Sequence, residues 1–165
     1  NYIRENFPGV NHDLIVNTSR GSVARSLSYM DEESYSISHE KNFVECLRFA
    51  FLAKKSKGAI LDLTKWSEKI ASISKDQQKD FLSYCSYLIR EAMLISYSSK
   101  NLGSFSSNTD FKIDKLSPFI HSSNLIEIIS LIEDCHYSIT RNVNSKIVFT
   151  NFAITLTKLI NKEEI

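Results

Sequence analysis

The stretch Ser74-Lys75-Asp76-Gln77-Gln78-Lys79-Asp80-Phe81-Leu82-Ser83-Tyr84-Cys85-Ser86-Tyr87-Leu88-Ile89-Arg90-Glu91-Ala92-Met93-Leu94-Ile95 decides the fold. Phe81, Cys85, Leu88, Ala92 and Ile95 recur at alternating steps of four and three, the spacing that puts apolar side chains on one face of an α-helix. Ser74 with Gln77 three residues on is a capping-box signal for the helix start. The helix is predicted to reach about Ser99, where Asn101, Gly103 and a Ser-rich stretch break it.

The same 3.6-residue period extends in both directions. Upstream, Leu63, Trp66, Ile70 and Ile73 form a second stripe, and Phe43, Leu47, Ala50 and Phe51 a third, which stops near Lys54-Lys55-Ser56-Lys57-Gly58. Downstream, residues 101–109 read as a mobile loop low in apolar content. Phe111, Ile113, Leu116, Phe119 and Ile120 predict a short helix, bent or interrupted by Pro118. Asn124 with Glu127 is a second N-cap pairing. It opens a helix with Leu125, Ile128, Ile129, Ile132, Cys135 and Ile139 facing inward. Asn142-Val143-Asn144 is a tight connection, because Asn tolerates the left-handed conformation. In the last segment the β-branched residues Ile147, Val148, Thr150, Ile154, Thr155 and Thr157 would permit a strand. The stripe of Phe149, Phe152, Leu156 and Leu159 favours a helix. The sum is an all-α bundle of about five helices over residues 39–165.

Before His39 the pattern changes. Residues 31–38, Asp-Glu-Glu-Ser-Tyr-Ser-Ile-Ser, are polar and unperiodic and are read as a linker. Residues 1–30 read as two or three short helices joined by tight turns, with stop and turn signals at Phe7-Pro8-Gly9 and Ser19-Arg20-Gly21-Ser22.

Composition narrows the function. Among 165 residues, 42% are hydrophobic and the net charge is +1, which excludes a generally disordered chain. Twenty basic residues are offset by nineteen acidic ones, so the surface as a whole is not a nucleic-acid footprint. Four glycines and two prolines are too few for the turns of a sandwich or barrel. No apolar run is long enough to span a bilayer and no signal peptide is evident, so a cytoplasmic protein without membrane contact is expected. The chain begins at Asn1 and is read as a piece of a longer or processed protein.

Chemical motifs are missing. Gly9, Gly21, Gly58 and Gly103 lie too far apart to cradle a phosphate. His12, His39, His121 and His136 show no metal-ligand spacing, and His136 reads as a packed histidine. Cys46, Cys85 and Cys135 form no CxxC pair and read as buried thiols in a reducing compartment. No catalytic, cofactor or metal residue is therefore assigned. Lys54, Lys55 and Lys57, with Arg48 upstream, could touch phosphate. Lysines near a helix C-terminus are also simply favourable against its dipole, and no aromatic side chain interleaves this cluster. Apolar residues off the main stripes, among them Phe49, Tyr84, Tyr87, Tyr97, Ile126 and Leu131, fit either a large core with ordinary exposed apolar atoms or a helical surface that packs against other subunits. On the second reading Tyr84, Tyr87, Phe149 and Phe152 are the candidate subunit-interface residues.

Two groups of motifs resemble bacterial clamp-loader subunits. Phe7-Pro8-Gly9-Val10 followed by Ser19-Arg20-Gly21-Ser22-Val23-Ala24-Arg25-Ser26-Leu27 is similar to the end of an AAA+ helical lid. Phe43 to Phe51, Trp66-Ser67-Glu68-Lys69-Ile70-Ala71, residues 78–85, Arg90-Glu91-Ala92 and residues 139–147 resemble the C-terminal collar domain of the delta-prime family of DNA polymerase III, in its Bacteroidetes-type version. ATP-hydrolysing members carry Gly-Ser-x-Arg in the lid. Here Ala24 holds the Arg position and Arg25 follows, turned about 100° around the helix, which favours the non-hydrolysing delta-prime family over gamma/tau.

The resemblance implies that residues 1–30 end an AAA+ lid, residues 31–38 link, and residues 39–165 form a collar joining five subunits. It implies gamma/tau and delta subunits as partners through the collar. Contact with the sliding clamp and primer-template DNA would come through the whole complex. The parent holoenzyme would be a DNA-directed DNA polymerase, with no enzyme activity in this chain and no cofactor. Two other readings stay open: the collar of another clamp-loader subunit (gamma/tau or delta), and a helical nucleic-acid-binding module working through Lys54, Lys55 and Lys57. A helical enzyme with an unread site is a third.

Overall fold

The computed structural model describes residues 33–97, 107 and 109–162. The expected lid end over residues 1–30 lies outside the described residues, as does most of the loop expected at 101–109. Five α-helices follow in order: α1 (Glu33–Leu52), α2 (Lys57–Ala71), α3 (Lys75–Tyr97), α4 (Ser122–Thr140) and α5 (Ser145–Ile160). The described residues contain no strand, and the bundle is all-α as expected. Among them no helix is long and apolar enough to cross a membrane.

Three boundaries differ from the sequence reading. Helix α1 begins at Glu33, so most of the expected linker is helical. The added turns are mostly polar, without an apolar period, and the turn that follows buries the polar His39, Glu40 and Asn42. Between α3 and α4, the short helix expected to be bent or interrupted by Pro118 is instead two 3-10 turns, Ile113–Lys115 and Ser117–Phe119, which part at Leu116 and hold Pro118 inside the second. Asn124 is not the N-cap of α4. His121 holds that position, and Asn124 sits at N3, where its Oδ1 accepts the His121 N–H at 3.0 Å. The capping box at Ser74 and Gln77 forms as read, each residue accepting the other's backbone N–H at 3.2 and 3.3 Å.

Helix α2 packs on α5, α3 on α4, and α1 on α2 and α5. Trp66 of α2 sits at the centre, 2% exposed, with Phe81, Phe149 and Phe152 around it at ring-centroid distances of 6.0–6.4 Å. Its indole N–H donates to the Asn42 carbonyl of α1 at 2.8 Å, so the largest ring also satisfies its one polar atom.

Helix ends must satisfy their last carbonyls. In this glycine-poor chain, side-chain amides do so. Asn161 donates to Ala50 O at 3.1 Å, Gln78 to Ala71 O at 3.1 Å, and Asn124 to Leu159 O at 3.1 Å. These caps close α1, α2 and α5 and tie each end to another element. Helix α4 ends in a Schellman motif. Asn142 takes φ 59° there, Val143 N–H reaches Ser138 O and Asn142 N–H reaches Ile139 O. The tight connection expected at Asn142-Val143-Asn144 is this turn, and Asn144 then caps α5 through Lys146 N–H at 3.0 Å.

Candidate interaction surfaces

The four residues expected at a subunit interface are core residues. Tyr84, Tyr87, Phe149 and Phe152 are all buried, so none can offer its side chain to a neighbour. For Phe149 and Phe152 the reason is the aromatic cluster around Trp66. For Tyr84 it is polar: the phenol is inside because its O–H donates to buried Glu40 at 2.9 Å. Tyr87 packs beside it, with ring centroids 6.1 Å apart.

Lys54, Lys55 and Lys57 are exposed and do not act as one group. Lys54 donates to Asn161 O at 3.1 Å, against the C-terminus of α5, the favourable end of that helix dipole. Lys57 is the first residue of α2, not the tail of α1.

A different apolar set is exposed. Ile60 and Leu61 of α2 are 55% and 65% exposed, and Ile147 and Ile154 of α5 are 65% and 50% exposed. Helices α2 and α5 run antiparallel. Their register is set by the Glu68–Lys146 ion pair at 2.7 Å and the Ser67–Thr150 hydroxyl pair at 3.1 Å. Ile60 lies two turns before Ser67 on the same stripe, while Ile147 and Ile154 flank Thr150 by three and four residues. All three isoleucines are exposed on the α2–α5 pair and take no part in the core. The sequence carried a signal for this face, the β-branched residues of α5 that lie off its stripe. It could not show which apolar side chains the packing of α2 on α5 leaves exposed.

The buried polar residues form a second feature. The Glu40 carboxylate accepts from Tyr84 on one oxygen and from the Ser107 and Thr109 hydroxyls on the other. Ser107 and Thr109 thus hang on α1 by a carboxylate 67 and 69 residues away in the chain. Adjacent His39 is 4% exposed, its Nδ1 has no partner, and burial pulls its pKa down to about 4. Glu91 is also buried with one oxygen unpartnered, and burial raises its pKa. The three cysteines are free and buried, as read from the sequence. Burial raises all three thiols well above their usual range, Cys135 to about 12, which keeps them protonated and unreactive.

Among the described residues, no group of His, Cys, Asp and Glu could hold a metal ion. Compared with known proteins, the chain matches no family model, no curated protein and no solved structure.

Proposed function

We propose that this chain is a subunit-assembly module, the C-terminal collar of a clamp-loader subunit of the delta-prime kind, acting in the cytoplasm. It would help assemble the complex that places a sliding clamp on primed DNA. The observation that carries the assembly reading is the exposure of the large apolar residues Ile60, Ile147 and Ile154 on the α2–α5 pair. The bundle buries a complete aromatic centre without them, so these side chains are available to pack against another helix. The clamp-loader identity rests on the motif resemblance in residues 43–51, 66–71, 78–85, 90–92 and 139–147.

The test is to mix the chain with the collar domains of candidate delta and gamma/tau partners and record native masses. A defined hetero-complex is the expected result. If the partners assemble with one another under the same conditions and this chain stays monomeric, the assembly role fails.

A further inference from the structure

A cavity of about 450 Å³ lies between the C-terminal half of α1 and residues 110–119, outside the α2–α5 face. Arg48, Lys112 and Lys115 line it with a single carboxylate, Asp110. None of the three cations is in an ion pair among the described residues. The floor is aromatic: Phe51 and Phe119 meet with ring centroids 4.3 Å apart, Phe119 is 40% exposed, and Phe111 completes the lining. The second wall is held in place from inside. Glu40 binds Ser107 and Thr109, and the Thr109 hydroxyl accepts the Phe111 N–H at 3.2 Å, so the clasp on α1 leads directly into the lining segment.

We infer that this cavity binds single-stranded nucleic acid, one base lying on the Phe51–Phe119 rings and the flanking phosphates meeting Arg48, Lys112 and Lys115. Cations interleaved with aromatic faces are what sequence-tolerant strand binding requires. That interleaving is missing at Lys54, Lys55 and Lys57. Unpaired cations facing one carboxylate call for an anionic ligand, and the ring faces call for a flat apolar body. Among the described residues the lining holds no Asn, Gln, Ser or Thr, and its cations are assigned to phosphates, so binding should depend little on base identity. An acidic peptide with aromatic side chains is the competing ligand. Extended peptides gain affinity from backbone pairing along an exposed strand edge, and the cavity wall is built from helix and 3-10 turn.

The experiment is fluorescence anisotropy of a labelled oligothymidylate with the full chain, over a range of salt. An abasic strand of equal length and a glutamate–phenylalanine peptide serve as comparison probes. The thymidylate should bind about tenfold more tightly than the abasic strand, the stacking share of one base. Lys112→Glu with Lys115→Glu should remove most of the affinity and lower the salt slope by about 1.4. Phe119→Ala, folded by circular dichroism, should bring the thymidylate down to the abasic strand. Lys54→Glu with Lys55→Glu should leave binding unchanged. Equal affinity for the two strands, undiminished binding by the Lys112/Lys115 variant, or loss only in the Lys54/Lys55 variant each overturns the inference. So does no strand binding at low salt, and the peptide binding instead would make this a peptide site. These results do not bear on complex formation with partner collars, which uses another face.

Discussion

The two ends of α1 are built on opposite principles. Its middle and C-terminal turns send Phe43, Cys46, Leu47 and Ala50 into a dry interior shared with Trp66, Phe81 and Leu156. Its N-terminal half buries His39, Glu40 and Asn42 and closes over them with Tyr84, Ser107 and Thr109. The dry region is held by area and shape, so it tolerates pH and salt and fails when volume is lost. The polar region is held by one carboxylate with three hydroxyl donors, so it fails when a single partner goes. One helix thus carries both a fixed centre and a conditional clasp.

Removing volume at the centre should have the largest effect. Trp66→Ala empties the middle of the aromatic cluster and strands the Asn42 contact. A loss of about 3–5 kcal/mol is expected in urea unfolding at pH 7. A loss below about 1 kcal/mol would mean that the dry region is not the main source of stability.

The next effect belongs to pH. His39 has a folded pKa of about 4 against 6.5 for the free side chain. The unfolded chain therefore binds its proton first, and stability falls as pH drops from about 6.5 towards 4, by about 3 kcal/mol at most. Glu91 works in the opposite direction. Its raised pKa makes the folded state the better proton binder, so that carboxyl gains stability as pH falls. The difference between wild type and His39→Met isolates the histidine: the gap should widen from neutral pH to pH 4 in favour of the variant. A constant gap would show that His39 is not buried neutral.

A smaller loss is expected at the clasp. Glu40→Ala leaves the Tyr84, Ser107 and Thr109 hydroxyls without their acceptor. It should cost about 2 kcal/mol and speed amide exchange selectively at Thr109 and Phe111. Uniform acceleration through α1 and α3 would instead place Glu40 in the cooperative core. The smallest effect is at the α4–α5 turn. With Asn142 at φ 59°, Asn142→Gly should be nearly neutral and Asn142→Ala should cost about 1 kcal/mol, read from thermal unfolding.

The same contrast explains what could be read from the chain. The dry region obeys the helical period, and Phe43, Leu47, Leu63, Trp66, Ile70, Phe81, Leu88, Phe149, Phe152 and Leu156 lie buried where the stripes put them. The polar region obeys no period. Glu40 finds its partners 44, 67 and 69 residues away, a pairing that only the folded chain brings about. Tyr84 was misread for this reason, because a tyrosine off the seam looks like surface until its buried acceptor is known. Ile60, Ile147 and Ile154 lie outside the residues read as apolar surplus, because an exposed isoleucine looks like a core one until the packing of α2 on α5, tied by Glu68–Lys146, is known. The cavity joins residues near 48 and near 115, and no local pattern announces it.

The proposal divides an interior that makes the fold from an exterior that would pack against other subunits. It is tested most directly by native mass measurement of the chain and its Ile60→Asp/Ile154→Asp variant, each mixed with the partner collars. Both substitutions are at exposed positions, so the variant should stay folded, with stability within about 0.5 kcal/mol per site. The account predicts a hetero-complex for the wild type and a monomer for the variant. A variant that assembles as well as the wild type would contradict it.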